Sequence, residues 1–368
     1  MNILHFIASP SPGGIETYVR DLAVEIAADR HLVHICFLES ASEAGTCEEY
    51  EQEYLSTLES AGVQYSFIGQ DARRRPWRGI RKMRKFTQKH SIDVYHSHLT
   101  YGVVFGSMVG IPRVYTHHSI EMRVGRLAFA MMNRIIDQLV AISDECASVL
   151  SRHTVREVVT IFNAVDLKKL TKEGIATREL AEIICCISVG RICAEKNYEL
   201  LIEAIACLPQ NLVSRLSVQI AGAGSEALTN QLRNVITQKK LEDVVRLLGS
   251  RSDVPSLLAS SHLFLMSSSI EGLPIALIEA AVSGLPCVVT DVGGCREVIQ
   301  KCGNGVVVEP NNAQALADAI ERLINDRAKF SMYSVNALKN AKQFSIKRAT
   351  AAHKILYRRL LASAGQEA

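Results

Sequence analysis

The sequence predicts an α/β protein built from two Rossmann-like domains that face each other across a cleft. Three observations predict this fold: the chain length, a set of short apolar runs, and the amphipathic segments between those runs. The chain has 368 residues, and since a domain usually takes about 100 to 200 residues, two domains are expected. A composition of 48% hydrophobic and 21% charged residues is typical of a globular protein with substantial buried cores.

Ten short apolar runs are the candidate strands. The runs are continuous rather than alternating, which is typical of a parallel sheet buried on both faces. They fall into two series, the first at 2–8, 31–38, 93–99, 113–118 and 138–143, and the second at 182–190, 216–222, 245–250, 262–268 and 286–292. Because segments with a helical period, such as 15–27, lie between the runs, and another at 314–324 follows the last run, each series predicts a doubly wound domain.

A polar stretch without a clear period separates the two series. We therefore place an N-terminal domain at 1–165, a linker at 166–181 and a C-terminal domain at 182–344. The remaining segment, 345–368, is basic and has a helical pattern over most of its length. We expect this helix to pack back toward the N-terminal domain.

Charge and cysteine usage exclude several classes of protein. The net charge of +3 gives no reason to expect a nucleic-acid partner. The ten cysteines form no C-x-x-C pair and lie mostly in apolar runs, which is typical of a reduced compartment rather than of disulfides or zinc sites. The N-terminus lacks a basic signal-peptide region, and no apolar run reaches the roughly 18 residues of a spanning helix. We therefore expect a cytoplasmic protein.

Four unusual stretches follow candidate strands, two in each half of the chain. They are "ASPSPGGIETYV" at 8–19, "HHSIEM" at 117–122, "GRICAEKN" at 190–197 and "SSIEGLPIALIEA" at 268–280. In open parallel sheets ligands bind beyond the carboxyl ends of the strands. Two sheets facing each other would bring all four stretches to one cleft.

Glycines and cations in these stretches indicate an anionic ligand. Gly13 and Gly14 open a helix, where positive φ values and close approach of a ligand are allowed and where anions are favoured. The alternative is a tight strand-to-helix turn. Arg191 and Lys196 flank a loop after a buried strand and could neutralise a diphosphate, although two solvated surface charges are the alternative. No complete G-x-G-x-x-G occurs, which argues against a nicotinamide site.

Histidines end or line two of the first-half strands. His118 is one of two histidines that end the run at 113–118, where a structural role is the more frequent one. His96 and His98 alternate and therefore share a sheet face. No third metal ligand has a convincing spacing, so we predict a structural or cleft-lining role for this pair and no metal site.

Two glutamates lie eight positions apart in the last stretch. Pro274 and Gly284 are typical of the two ends of a helix, predicted at 274–283. Glu279 then lies at the edge of the apolar stripe of this helix, about 40° around from Ile275. Glu271 precedes the helix, so the two carboxylates would contact different parts of one ligand, with an anionic middle at the first helical amides.

This separation argues against the carboxylate pair of a glycosidase, since those carboxylates flank a single bond. The alternative for the two glutamates is an edge salt bridge for Glu279 and a helix N-terminal acid for Glu271.

A set of motifs resembles a known family over nearly the whole chain. The motifs are the early "GGIE", "IFNAVD" at 161–166, "GRICAEKN", the E-x7-E in "EGLPIALIE" and "GLPCVVTDVGGCREVI" at 284–299. In this order they resemble the retaining glycosyltransferases of family 4 (glycosyl transferases group 1), which have the GT-B fold. Each motif is weak by itself, whereas the ordered set is specific.

The resemblance implies a hexosyltransferase that uses a UDP- or GDP-linked sugar donor, held mainly by the C-terminal domain. The implied acceptor is a glycan or a lipid-linked sugar in bacterial surface polysaccharide synthesis, such as lipopolysaccharide, capsule or exopolysaccharide. No cofactor is implied. No Asp-x-Asp occurs in the chain, which fits metal-independent transfer with retention of configuration, in which fixed cations replace a metal ion.

The resemblance also implies roles for individual residues. The implied catalytic set is His118, in preference to His117, with Glu271, Arg191 and Lys196. Glu279 would bind the ribose hydroxyls, Glu271 the sugar hydroxyls, and Arg191 and Lys196 the diphosphate. Gly13 and Gly14 would line the phosphate and acceptor side, while Ser250 and Arg251 would approach the base. Because Pro274, where the family often has glycine, cannot donate an N–H, contacts would fall on Leu273, Ile275 or Ala276.

A basic segment suggests a second partner. Residues 71–90 hold nine Lys or Arg and one acidic residue, with Ile80, Met83 and Phe86 on a rough apolar face and Trp77 at its start. Such segments bind anionic membrane surfaces, which predicts peripheral attachment through 73–89. The alternative is a surface helix that packs on the first domain.

Other functions remain open on the sequence alone. A GT-B nucleotide-sugar epimerase would turn over its donor without an acceptor, whereas a phosphorylase would need a pyridoxal-binding lysine, for which we find no candidate. A non-catalytic protein that binds sugar nucleotides would share the motifs without turnover.

Overall fold

Two parallel β-sheets organise the chain in a computed structural model that describes residues 1–122, 124–171 and 177–365. The chain divides into two compact units. Met1–Ala164 and Ile346–Ala368 make up the N-terminal unit, and Val165–Ser345 make up the C-terminal unit. The linker predicted at 166–181 falls within the second unit, where Leu167–Thr171 is helical; its residues 172–176 lie outside the described residues.

The N-terminal unit contains a seven-stranded parallel sheet within the described residues, in the order β3-β2-β1-β4-β5-β6-β7. Its strands are β1 Asn2–Ile7, β2 Leu32–Phe37, β3 Gln64–Phe67, β4 Val94–Ser97, β5 Arg113–His117, β6 Gln138–Ala141 and β7 Val158–Thr160. Its first helices are α1 Gly14–Ala28, α2 Ala41–Ala44, α3 Glu48–Ser60, α4 Asp71–Arg74, α5 Pro76–Lys89, α6 Thr100–Phe105, α7 Arg126–Ile135 and α8 Asp144–Ser151.

The C-terminal unit contains a six-stranded parallel sheet in the part of the chain that the structure describes, in the order β10-β9-β8-β11-β12-β13. Its strands are β8 Ile184–Val189, β9 Leu216–Ala221, β10 Val245–Gly249, β11 Leu263–Met266, β12 Cys287–Thr290 and β13 Gly305–Val308. Its helices are α9 Leu167–Thr171, α10 Tyr198–Ala206, α11 Gln210–Val213, α12 Glu226–Gln238, α13 Val254–Ser260, α14 Ile275–Val282, α15 Cys295–Cys302, α16 Ala313–Asn325 and α17 Arg327–Asn340.

All ten predicted strands are confirmed, and the predicted doubly wound fold with them. The strands β3, β7 and β13 were not predicted. Each of these is three or four residues long and lies at the edge of its sheet. An edge strand is only partly buried, so it needs no long continuous apolar run.

The order of the strands places the candidate binding edge. β1 lies between β2 and β4, and β8 lies between β9 and β11, so the chain order reverses beside β1 and beside β8. Ligands of open parallel sheets bind at such switch points, beyond the carboxyl ends of the strands. The loops that follow β1, β4, β8 and β11 are therefore the candidate ligand-binding loops.

The C-terminal helix, α18 Ile346–Ser363, packs on the N-terminal unit. It inserts two polar side chains into the interior. The Tyr357 hydroxyl lies 2.7 Å from Nδ1 of His96, and Nε2 of His353 lies 3.0 Å from the Tyr18 hydroxyl of α1. All four side chains are buried, so each of these hydrogen bonds satisfies groups that water cannot reach.

The basic helix α5 packs its apolar face inward. Met83 is fully buried, and Gly79 lies so close to Phe105 that a β-carbon there would come within 2.5 Å of the ring. The packing alternative for this segment is therefore correct. Trp77, 62% exposed, stays on the outer side with the basic residues. Among the described helices, none combines the length and the hydropathy that crossing a bilayer requires.

The contact between α18 and the sheet predicts a stability change. Tyr357→Phe removes the hydroxyl partner of His96 and leaves a buried nitrogen unsatisfied, which should cost about 1–3 kcal/mol of unfolding free energy. Urea denaturation measures this. Ile355→Ala on the exposed side of the same helix is the control, with an expected change within about 0.5 kcal/mol. Equal effects of the two substitutions would contradict the role given to the hydroxyl.

Candidate functional site

The loop after β8 positions Lys196. Gly190 leaves the strand with a φ of 158°, and the chain then makes a 3₁₀ turn over Ala194–Lys196. Asn197 adopts the left-handed conformation, with a φ of 46°, and caps α10 by accepting a hydrogen bond from the Leu200 amide at 3.4 Å. Lys196 is therefore the last residue of this turn and directly precedes the cap of α10, at the carboxyl end of the sheet.

Lys196 and Glu271 form an ion pair. Nζ of Lys196 lies 2.5 Å from Oε1 of Glu271, and the Ser268 hydroxyl donates to the same oxygen at 2.6 Å. The side chains of Lys196 and Glu271 are only 21% and 10% exposed, so the pair is well shielded from bulk water. Charge-assisted hydrogen bonds in such surroundings are stronger than neutral ones and fix the geometry of both partners.

The loop after β11 is bound tightly to the loop after β8. The Ser267 hydroxyl lies 3.1 Å and 2.9 Å from the carbonyl oxygens of Lys196 and Asn197. The Ser269 amide donates to the carbonyl of Glu195 at 2.8 Å. The serines of this stretch were not predicted as site residues. Their clustering in "SSSIEG", directly after a strand, is the signal that could have identified them.

Several glycines allow the loops at this edge to approach. A β-carbon on Gly222 would lie 1.8 Å from the carbonyl oxygen of Gly190, and one on Gly293 would lie 2.0 Å from that of Glu271. Gly293 also has a φ of +51°. Gly222 belongs to the segment "AGAGSEA" at 221–227, which stops short of the dinucleotide-binding fingerprint. This glycine permits close contact between the loops after β8 and β9.

The helix α14 follows the ion pair. It begins at Ile275, with Pro274 as its N-cap, so the predicted start at Pro274 was one residue too early. The first helical hydrogen bond runs from the Ile278 amide to the Pro274 carbonyl at 3.3 Å. The amides of Ile275 and Ala276 therefore lie in the first turn, where no intrahelical acceptor exists.

The remaining predicted residues of the C-terminal unit have different surroundings. Glu279 lies one turn further along α14 and is half-buried, while Leu273 is buried before the helix. Arg191 is exposed on the loop that carries Lys196. Ser250 is exposed after β10, and the neighbouring Arg251 pairs with Asp253 at 2.6 Å and 2.8 Å.

In the N-terminal unit, the conformational argument for two glycines was wrong. Gly13 has a φ of −172°, an extended conformation that any residue adopts, and Gly14 is the first residue of α1. Neither has a positive φ. A β-carbon at position 13 would lie 2.2 Å from Oε2 of Glu16, the far end of a flexible side chain, so neither φ nor a rigid neighbour requires glycine there.

His118 follows β5 and contacts another histidine. Its Nε2 lies 2.9 Å from Nδ1 of His98, and burial lowers its pKa to about 3. His117 ends the strand and contacts the Tyr115 hydroxyl at 3.1 Å, and burial lowers its pKa to about 4. Both rings are therefore neutral at physiological pH.

A third histidine joins the pair that the sequence placed on one sheet face. His5 of β1 is in register with His96 of β4, and ring nitrogens of His5, His96 and His98 lie within 4.8 Å of one another. The sequence spacing offered no third ligand, whereas the structure brings His5 to the pair, because the pairing of β1 with β4 joins residues that are distant in sequence. However, both nitrogens of His96 already have hydrogen-bond partners at 2.7 Å, in Tyr357 and Thr116.

Two family models match the chain. "Glycosyltransferase Family 4" matches residues 12–169, and "Glycosyl transferases group 1" matches residues 179–343. The chain is a GT4-like group 1 glycosyltransferase. The predicted family and the prediction of an enzyme are thereby confirmed.

Two relatives of this glycosyltransferase have names that describe sugar-transferring enzymes. This chain is 24% identical over 268 residues to the Escherichia coli UDP-Gal:alpha-D-GlcNAc-diphosphoundecaprenol alpha-1,3-galactosyltransferase. The match covers 66% of this chain and 69% of the relative. This chain is also 28% identical over 269 residues to the N-acetyl-alpha-D-glucosaminyl L-malate synthase of Bacillus anthracis. That match covers 67% of this chain and 68% of the relative.

Solved structures share the fold of this glycosyltransferase. The Anabaena protein HepE in complex with UDP superposes with a TM-score of 0.81 at 21% identity, over 98% of this chain and all of the other. The same protein in complex with UDP-glucose gives 0.78 at 20% identity, over 99% of this chain and all of the other. The predicted GT-B fold is confirmed.

The contact between the loops after β8 and β9 predicts a stability change. Gly222→Ala places a β-carbon against the Gly190 carbonyl and forces the two loops apart, which should cost about 1–3 kcal/mol of unfolding free energy. Chemical denaturation measures the loss. Gly125→Ala is the matched control, because its β-carbon meets nothing within 4 Å and its φ of −59° suits alanine. A neutral Gly222→Ala would show that the loops need no such contact.

Proposed function

We propose that this glycosyltransferase moves a hexose-type sugar from a UDP- or GDP-linked donor to a glycan or lipid-linked acceptor, with retention of configuration and without a metal ion. The observation that carries the proposal is the shielded Lys196–Glu271 pair beside the first turn of α14. The complexes of HepE with UDP and UDP-glucose support the donor class. The diphosphoundecaprenol-linked acceptor named for the Escherichia coli relative supports a lipid-linked acceptor, and we assign the transfer to surface polysaccharide synthesis.

In this proposal the diphosphate of the donor binds between Lys196, Arg191 and the first-turn amides of α14. A helix N-terminus and two cations are the groups that proteins use for phosphate oxygens. The amides of Ile275 and Ala276, together with Leu273, provide contacts that Pro274 cannot make, since proline has no N–H. Ser250 and Arg251 approach the base, and Arg251 would do so while paired with Asp253.

The two glutamates bind hydroxyl groups at different parts of the donor. A carboxylate only accepts hydrogen bonds, so it suits the hydroxyls of a sugar. Glu271 binds the hydroxyls of the transferred sugar, because it contacts the ammonium of Lys196, which would bind the adjoining diphosphate. Glu279, one turn along α14, accepts hydrogen bonds from the ribose hydroxyls.

The chemistry follows from this arrangement. The acceptor hydroxyl forms a bond to the anomeric carbon as the bond from that carbon to the diphosphate oxygen breaks. The departing diphosphate takes the proton of the hydroxyl on the same face of the sugar, which retains the configuration. Lys196 and Arg191 stabilise the charge that develops on the leaving group, in place of a metal ion. Neither glutamate forms a covalent intermediate.

Two assignments concern the N-terminal unit. We assign His118 to an oxygen of the transferred sugar, and Gly13 and Gly14 to the phosphate and acceptor side. Because the His118 ring is neutral, it acts as a hydrogen-bonding group rather than as a fixed positive charge.

Kinetics and product analysis test the transfer mechanism. Lys196→Ala should lower kcat about 10²–10³-fold, since it removes a group that stabilises the leaving diphosphate. Glu271→Gln should lower kcat/KM, because an amide binds the sugar hydroxyls and Lys196 less well than a carboxylate. Lys239→Ala, at an exposed site of the same unit, is the control and should leave both constants unchanged.

Product configuration and acceptor dependence test the alternatives. A product with inverted anomeric configuration would contradict retention. Turnover of the donor without any acceptor would favour an epimerase. A thermal-shift screen with UDP- and GDP-sugars selects the donor for these assays, and loss of turnover after chelation of metal ions would contradict metal independence.

We also propose that the outer face of α5 binds anionic membranes. Since the apolar face of this helix packs against the interior of its own unit, the attraction of its outer face to anionic lipids is electrostatic. The exposed Trp77 adds an amphipathic side chain that enters the membrane interface. The segment 73–89 then attaches the enzyme peripherally to the cytoplasmic face of a membrane that carries a lipid-linked acceptor.

The single tryptophan reports this binding directly. Vesicles with anionic lipid should sediment the protein and shift Trp77 emission to the blue at low salt, and high salt should reverse both effects. Arg81→Glu with Lys85→Glu should abolish binding, while Lys239→Glu with Lys240→Glu, an equal change of charge elsewhere, should not. Absence of sedimentation at low salt would overturn the idea.

A further inference from the structure

Three histidines form a hydrogen-bonded row in the N-terminal unit. Nδ1 of His5 lies 3.0 Å from Nε2 of His98, and Nδ1 of His98 lies 2.9 Å from Nε2 of His118. The rings come from β1 and from the segments that follow β4 and β5. Both ring nitrogens of His98 therefore take part in the row. They connect His5, within β1, to His118, which we assigned to the sugar.

The row consists of neutral rings. Burial lowers the pKa of His5 and of His118 to about 3 and that of His98 well below its usual range, with smaller contributions from neighbouring histidines. A neutral imidazole carries one N–H and one lone pair. Each contact in the row therefore joins one donor nitrogen to one acceptor nitrogen.

This condition couples the tautomers of the three rings. If Nδ1–H of His5 donates to His98, then His98 must carry its own proton on Nδ1 and donate to His118, whose proton is then also on Nδ1. The opposite direction places all three protons on Nε2. The rings consequently share one tautomer, and the state of His118 depends on His5, two rings away.

The two ends of the row distinguish these states. Nε2 of His5 and Nδ1 of His118 are both buried, and neither has a hydrogen-bond partner in the described part of the chain. A buried N–H without a partner is rarer than a buried acceptor without one. The Nε2–H form would leave its unpartnered N–H on His5, which is fully buried in a strand, whereas the Nδ1–H form leaves it on His118, which is only partly buried after β5. An unpartnered N–H costs less at the less buried end, which favours the Nδ1–H form throughout.

We propose that the row of His5, His98 and His118 fixes His118 as an Nδ1–H donor to an oxygen of the sugar substrate, with His5 and His98 as positioning residues. The assignment of His118 to the substrate rests on the proposed function, whereas the shared tautomer rests on the row alone. The unpartnered Nδ1 of His118 is the site, and its ligand is a hydroxyl or phosphate oxygen that accepts a hydrogen bond.

A metal ion is the competing occupant of these histidines. The separation of 3.0 Å between nitrogens of His5 and His98 would also suit two ligands of one ion. Binding a third histidine would require His96 to give up a hydrogen bond to Tyr357 or to Thr116. We therefore favour the hydrogen-bonded row and treat metal binding as an outcome of the test.

Nitrogen NMR of the full-length protein labelled with ¹⁵N-histidine tests the tautomers. Long-range couplings distinguish protonated from unprotonated ring nitrogens, and single substitutions assign the signals. All three rings should be neutral and protonated on Nδ1 at neutral pH, although free histidine favours the Nε2–H form. A proton on Nε2 of His118, unlike tautomers within the row, or stoichiometric Zn²⁺ binding that shifts His5 and His98 would each overturn the proposal.

Substitution of His5 tests the connection to substrate. His5→Asn keeps a donor near the Nδ1 position, whereas His5→Leu, of similar size, removes it. His5→Leu should reduce the Nδ1–H signal of His118 and lower kcat/KM about tenfold, the loss expected for one hydrogen bond. His5→Asn should restore both.

Thermal unfolding shows whether both His5 variants fold. Equal kcat/KM of the two folded variants would overturn the positioning role and leave the glycosyltransferase assignment intact. The NMR result does not depend on turnover, so it stands even if the proposed donor or acceptor is wrong.

Discussion

The ion pair between Lys196 and Glu271 is the interaction on which the candidate site depends. It joins the loop after β8 to the loop after β11 at the switch point of the C-terminal sheet. Serine hydroxyls hold these two loops together, and close glycine contacts bring the loops after β9 and β12 against them. A cation held in this way is oriented before a ligand arrives, which avoids reorganisation when charge develops on a leaving group.

The N-terminal unit uses a different kind of polar interior. Its buried histidines are neutral and satisfy one another, with α18 supplying Tyr357 and His353. Inside a protein such a network is stable only when most of its members have partners. The two unpartnered ring nitrogens in the row of His5, His98 and His118 are therefore informative, because one of them belongs to the residue that the family resemblance assigns to the substrate.

Much of this architecture could be predicted from the sequence, because strands buried on both faces leave long apolar runs. Short edge strands such as β3 leave none, so they were missed. Glu271 and Lys196 were identified by their motifs, but nothing in the sequence shows that they contact each other across 75 positions. The same limit hid His5, which only the register of β1 with β4 places beside His96. For Gly13 the conformational argument was wrong, because its backbone is extended and the atom nearest to an added β-carbon is the end of the flexible Glu16 side chain.

A crystal structure with the nucleoside diphosphate of the best-stabilising donor tests the central claim most directly. The account predicts that the diphosphate contacts Nζ of Lys196 and the first-turn amides of α14, with Glu279 on the ribose and Glu271 next to the open sugar position. A nucleotide bound away from the Lys196–Glu271 pair, or a diphosphate held through a metal ion, would contradict it.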